Sequence, residues 1–277
     1  MKFRFGPIRF GESTPEGGVA VTSQPSPKVE QSPRLRSPIS SPKEEVLESR
    51  ETSSERKIGH GVTDSSFIEL VDDGKAVFKT IDYKAERAAY LVDLFLGLKL
   101  VPPTVIRKVN NREGSAQEFI PDSTVGGECS MHELSLCQEK LMKLWVFDLI
   151  IGNKDRHNGN FLLKDGEVYA IDNGRSFGYR SYTGNFRRKI ILNPDYRNRS
   201  VGDSHVTFFG QDLPQNLIDL LKSFSENVKE QEILQDLLGE MVGREVARSV
   251  IRRIKTISTL LTKKGLIPDK NSIRLKS

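Results

Sequence analysis

The sequence predicts an α+β fold in two lobes, a small β-rich lobe followed by a mainly helical one, behind a disordered Ser/Pro-rich tail. Three observations carry that prediction. Residues 1–56 are dense in Ser, Pro, Gly and charge and show no sustained apolar period, so they bury too little surface to offset the entropy of ordering. From residue 57 to 122, short apolar alternations separated by turn residues read as strands around a single helix. From residue 123 to 277 the apolar residues recur mostly at helical spacing.

In the tail, Ser23-Gln24-Pro25-Ser26-Pro27 and Ser37-Pro38-Ile39-Ser40-Ser41-Pro42 suit a regulatory arm phosphorylated at its Ser-Pro sites, a secretion or translocation leader, or a plain solvated linker. The first lobe opens on Phe67 to Val71, the turn residues Asp72-Asp73-Gly74, and Lys75 to Ile81, which together read as a hairpin. Ala88, Leu91, Val92, Phe95 and Leu98 keep helical spacing from Tyr83 to Leu98, where Val101-Pro102-Pro103 prevents continuation. Thr104–Val109 and Ala116–Ile120 read as two more strands, separated by the turn signal Asn110-Asn111-Arg112-Glu113-Gly114.

The second lobe begins with one long helix over Met131–Ile151, in which Leu134, Leu141, Leu144, Trp145, Asp148, Leu149 and Ile151 face inward. After a polar loop, Phe161–Lys164, the turn Asp165-Gly166 and Glu167–Ile171 read as a second hairpin. Leu213–Phe224, Glu230–Leu238 and Gly243–Leu261 complete the lobe as helices.

Composition excludes several classes. Two cysteines, Cys129 and Cys137, are too few for a disulfide framework, and no apolar signal segment follows Met1, so a reducing, cytoplasmic setting and a soluble protein are expected. The longest apolar run, Leu144–Ile151, contains Asp148 and is far shorter than a bilayer span. A net charge of +5 suits phosphates, anionic membrane or nucleic acid alike. Arg252-Arg253 and Lys263-Lys264 fall on a helix and its end, where basic residues complement the helix dipole, and no aromatic platform accompanies them. No specific nucleic acid is expected.

The chemistry concentrates at the open end of the second hairpin. Asn160 precedes its first strand and Asp172 follows its second, so residues twelve positions apart share one small site. One amide oxygen and one carboxylate form an incomplete oxygen shell of the kind magnesium completes with water and nucleotide phosphates. Asp155, on the loop before Asn160, is placed to accept a hydroxyl proton, and His157 to stabilise charge on a transferred phosphoryl group. In the first lobe, Lys79 lies in an otherwise apolar strand and needs an anionic partner, which Glu86 on the next helix supplies. The loop before the first hairpin, with Gly61, Ser65 and Ser66, offers backbone N–H groups and hydroxyls to phosphates, although it lacks G-x-G-x-x-G spacing.

These segments resemble a known family. Phe147-Asp148-Leu149-Ile150-Ile151-Gly152-Asn153-Lys154-Asp155-Arg156, Asn160-Phe161-Leu162-Leu163-Lys164 and Ala170-Ile171-Asp172-Asn173-Gly174, with Asp73–Lys79 and Ala89–Pro102 upstream, look like phosphatidylinositol 3-/4-kinases. Type II 4-kinases and their bacterial relatives are the nearest in pattern. The resemblance implies a two-lobed, protein-kinase-like fold that binds ATP and Mg2+ between its lobes. It makes Lys79 the phosphate-binding lysine, Glu86 its partner, Asp155 the catalytic aspartate, and Asn160 and Asp172 the metal ligands. Glu118-Phe119-Ile120 becomes the inter-lobe hinge that meets adenine through its backbone.

Two features of the type II lipid kinases are missing. The chain runs from Lys79 to Glu86 without a cysteine-rich insertion, and basic residues (Arg175, Arg180, Arg187-Arg188-Lys189, Arg197) stand where those enzymes carry a membrane-inserting aromatic stretch. A protein Ser/Thr hydroxyl is therefore the expected acceptor. A phosphoinositide lipid, with peripheral contact to an anionic membrane, is the second expectation, and a pseudokinase or a kinase fold with non-phosphoryl chemistry the third. A Ser/Pro-rich leader on such an enzyme is also compatible with a bacterial effector translocated into a host cytoplasm.

Overall fold

The computed structural model describes residues 41–58, 65–71, 73–178 and 213–264, all within one compact unit, Ser32–Ser277. It begins inside the segment assigned to the tail. Helix α1 (Pro42–Ser49) starts with a capping box in which the Ser41 side chain accepts from Glu44 N–H and the Glu44 carboxylate accepts from Ser41 N–H. Pro42 occupies the first helical turn, where its missing N–H costs nothing. Strand β1 (Thr52–Lys57) then pairs antiparallel with β2 (Ser65–Leu70). The part of the expected tail from Ser41 to Arg56 is thus corrected to a capped helix and an edge strand. The reason is physical. Helix α1 contributes one fully buried apolar side chain, Leu47, and β1 none, so neither shows a local apolar pattern in the sequence.

The first sheet has the order β1-β2-β3-β5-β4, with β3 (Lys75–Lys79), β4 (Thr104–Val109) and β5 (Arg112–Glu118). Alternation of side chains splits it into two faces. Ile68, Phe78, Val105, Ala116 and Leu47 of α1 form one apolar cluster. Helix α2 (Tyr83–Leu96) follows β3 and ends at Gly97 in the left-handed conformation. The β4–β5 turn is Asn110-Asn111 alone, both residues at positive φ. Gly114, which the sequence placed in that turn, lies in β5 opposite Arg107. A Cβ there would sit 2.3 Å from the Lys79 carbonyl oxygen, so the close approach of two strands requires glycine.

The predicted long helix is two. Helix α3 (Met131–Leu136) is capped by Ser130 and stops at Cys137, whose N–H turns back to Leu134 and Ser135; α4 (Gln138–Ile151) then continues. The break lets the buried Cys137 thiol reach the Gly166 carbonyl at the hairpin turn. The second sheet has the order β6-β7-β8, from β6 (Thr124–Val125), β7 (Phe161–Lys164) and β8 (Glu167–Ala170). Helices α5 (Gln215–Glu226), α6 (Val228–Val242) and α7 (Arg244–Lys264) close the lobe. One core joins α2, α4, β7, β8 and these helices, including Leu91, Phe147, Ile150, Leu217 and Leu234. No helix among the described residues is long and apolar enough to cross a membrane.

Candidate active site

Lys79 ends β3, and Glu86 lies in the first turn of α2, so the strand-to-helix connection brings the two side chains together. Lys79 Nζ donates to Glu86 Oε1 at 2.7 Å and to Asp172 Oδ1 at 3.0 Å. Burial opposes the Lys79 charge, but the Glu86 and Asp172 carboxylates outweigh it and hold the ammonium above the usual lysine pKa. Glu86 is 2% exposed, and its second oxygen accepts from Asn173 N–H at 3.0 Å. One carboxylate therefore links β3, α2 and the segment after the second hairpin. That segment passes so close to α2 that a Cβ on Gly174 would lie 2.9 Å from the Cβ of Asp82.

The loop between α4 and β7 carries Asp155, His157 and Asn160. Asn160 is 4% exposed, and its amide nitrogen donates to the Asp155 carbonyl at 2.9 Å, which leaves its amide oxygen as the group for a cation. Asp172 sits at φ 55 with its side chain 43% exposed. An amide oxygen and an accessible carboxylate fit a hard cation that takes its remaining ligands from water and phosphate. His157 Nδ1 accepts from Gly159 N–H at 3.0 Å, which makes Nε2 the donor nitrogen of the neutral ring.

Three residues that the sequence did not assign to the site organise it. Arg156 donates through Nε and Nη2 to the buried Asp148 carboxylate at 3.0–3.2 Å, through Nη1 to the carbonyls of Asn160 and Ile171, and through Nη2 to Asn173 Oδ1. Burial raises the Asp148 pKa and the Arg156 charge pulls it back. Buried Asn153 accepts Asp155 N–H at 2.8 Å and shapes the turn that presents Asp155. The signal was present in the sequence: an aspartate inside an apolar helix demands a cation, and the following loop offers two, Lys154 and Arg156.

The remaining expectations divide. Ser65 pairs with Lys79 and shares its face, whereas Ser66 pairs with Phe78 and is buried on the opposite face. A Ser66 hydroxyl turned toward phosphates is thereby corrected, because strand alternation sends adjacent residues to opposite sides. At the expected hinge, Glu118 N–H donates to Pro103 O and Phe119 N–H to Lys75 O. Two of the three N–H groups of Glu118-Phe119-Ile120 are therefore spent in the sheet. Phe119 meets Phe67 edge to face at 5.1 Å, and Ile120 is buried. Gly61, the rest of loop 59–64, the tail before Ser41 and the basic run through Arg180, Arg187-Arg188-Lys189 and Arg197 lie outside the described residues.

An ion-paired lysine and glutamate facing an Asn- and Asp-bearing loop define the site of a kinase-like fold. The family model for phosphatidylinositol 3- and 4-kinase matches residues 65–238, more than half of the chain, and the chain belongs to that family of phosphotransferases. No curated protein matches. Among solved structures, hydra Fam20 with sugar aligns at TM-score 0.53 and 14% identity, over 80% of this chain and 88% of that one. The Golgi casein kinase aligns at 0.51 and 16%, over 78% of this chain and 72% of that one. The Helicobacter pylori proinflammatory kinase CtkA aligns at 0.48 and 14%, over 78% and 98% respectively. The first two likenesses speak to the fold.

Proposed function

We propose that the protein transfers the γ-phosphate of ATP, with Mg2+, to a Ser or Thr hydroxyl of a protein substrate. The observation that carries this reading is the meeting of Lys79, Glu86 and Asp172 at 2.7 and 3.0 Å. Such a cluster, open on the Asp172 side, is what holding nucleotide phosphates beside a cation requires.

In this mechanism Lys79, aimed by Glu86, binds the phosphates, and Phe67 and Phe119 flank the base, with the Ile120 N–H as its hydrogen-bond donor. Asn160 and Asp172 would hold the metal, which would supply charge neutralisation at the phosphate oxygens. Asp155 takes the proton of the incoming hydroxyl, its backbone fixed by Asn153. His157 donates from Nε2 to the charge that develops on the transferred group.

A phosphoinositide acceptor is the second reading, favoured by the family match itself. Against it stands Phe177, the first aromatic after Asp172, which is buried instead of presented to a bilayer. The test incubates the full chain with labelled ATP and Mg2+, offering protein pools in one arm and anionic phosphoinositide vesicles in the other. Label on protein Ser or Thr, lost in Asp155→Ala, is the expected result. Label only on lipid overturns the protein reading, and no label in either arm overturns both.

A further inference from the structure

We propose that Ser41 is a phosphorylation site whose modification undocks α1 and releases the Lys79–Glu86 pair. This rests on the kinase reading above, because that pair is the one assigned to the nucleotide phosphates.

Ser41-Pro42 is one of the Ser-Pro dipeptides of the N-terminal segment, and Ser41 is partly exposed at the N-cap of α1. Its backbone N–H is tied to the helix that bears Glu86 through one carboxylate. Glu44 is 1% exposed. Its Oε2 accepts from Ser41 N–H at 2.9 Å and from Tyr90 OH at 2.9 Å, and its Oε1 accepts from Arg87 Nη1 at 2.7 Å. Tyr90 and Arg87 belong to α2, and Arg87 is the neighbour of Glu86. The same short helix also grips the rest of the lobe: Lys43 pairs with Glu118 of β5 at 2.6 Å, and Arg107 of β4 donates to the Leu47 and Arg50 carbonyls.

A proline-directed protein kinase with ATP supplies the modification. The Ser41 O–H bond breaks, Oγ bonds to the γ-phosphorus, ADP leaves, and the proton passes to the modifying enzyme's base. The first turn of an eight-residue helix opens readily enough to be reached. Once attached, the phosphate carries about −1.5 to −2 charges beside the Glu44 carboxylate. Among the described residues Arg87 is the cation bonded to that carboxylate, and Lys43 is already engaged by Glu118. A phosphate at a helix N-terminus is ordinarily favoured by the helix dipole. Here the Glu44 N–H already goes to Ser41 Oγ and the adjoining Glu44 carboxylate is buried, so the like charges separate by expelling the helix. Arg87 then keeps the Thr104 carbonyl but loses its carboxylate partner, and α2 loses a buried ion pair one residue from Glu86.

The full chain is treated with a proline-directed Ser/Thr kinase and ATP, mapped by peptide mass spectrometry, and followed by amide hydrogen exchange across residues 83–96. Phosphate at Ser41 is expected, with exchange in α2 about ten-fold faster and phosphate transfer correspondingly slower. Ser41→Asn keeps a capping oxygen but no hydroxyl to modify, and shows neither change. Failure of Ser41 to accept phosphate, or phosphorylation with unchanged or slower α2 exchange, overturns the proposal. Faster α2 exchange in a chain that transfers no phosphate supports it and retracts the proposed function instead.

Discussion

Glu86 bonds two parts of the molecule at once, accepting from Lys79 at 2.7 Å with one oxygen and from Asn173 N–H at 3.0 Å with the other. The strand that bears the cation and the segment that bears Asp172 are therefore positioned by a single buried carboxylate. Three elements distant in sequence converge on it, and several expected outcomes follow from that convergence.

Replacing Lys79 by Met removes the cation that joins Glu86 to Asp172. Transfer is expected to fall by about 10²–10³-fold, the usual cost of removing one preorganised electrostatic group. Glu86→Gln keeps the acceptor toward Asn173 but weakens the hold on Lys79, so its loss is smaller and appears partly in KM for ATP. Steady-state kinetics at varied ATP separate the two.

Arg156→Ala leaves the Asp148 carboxylate buried without its cation and strips two carbonyls of a donor. A loss of about 3–5 kcal/mol is expected in urea unfolding, as for other broken buried ion pairs. Arg156→Lys recovers only part of it, because one ammonium cannot reach Asp148, Ile171 and Asn173 together.

Asp93 gives the stability a pH dependence. Burial pushes its carboxyl up to about 7, while the Leu100 and Val101 N–H groups pull the other way. The folded state thus holds a proton that the unfolded chain has already released above pH 3.8. This contribution to stability is complete below that value and is lost as pH rises to about 7, with a slope of up to about 1.4 kcal/mol per pH unit. Urea midpoints at pH 5 and pH 8 are expected to differ more for the native chain than for Asp93→Asn, which stays neutral throughout.

Gly114→Ala drives a methyl into the Lys79 carbonyl at 2.3 Å and the Phe78 ring at 2.7 Å. Relief requires β5 to move away from β3, at about 1–3 kcal/mol. Thermal melting measures that cost. Turnover is expected to fall as well, since the displaced backbone belongs to Lys79.

Much of this was legible in the residues. Hairpins marked by Asp165-Gly166 and Asn110-Asn111, the period of α2, and the placement of Asn160 and Asp172 at one hairpin end all arise from local chemistry, which neighbours in sequence express directly. The Lys79–Glu86 contact was also readable, because a strand-to-helix step of seven residues leaves the lysine few other anions. Helix α1 and strand β1 were not. The stabilising partners of α1, namely Arg87, Tyr90 and Arg107, stand more than forty positions away, and a polar edge strand such as β1 carries no apolar period.

The amino-acid order alone therefore pointed to the residues proposed to carry the chemistry and to most of the elements that hold them, since turn residues, apolar periods and an unpaired charge act over a few positions. The folded chain decided what the sequence could not weigh. It turned Ser66 away from the site while keeping Ser65 on the Lys79 face, gave Arg156 its role as the bond between loop and hairpin, and seated α1 against the helix that bears Glu86. Each of these depends on which groups meet after long stretches of chain have closed, and a hydrogen bond or ion pair between distant residues leaves no period in the sequence.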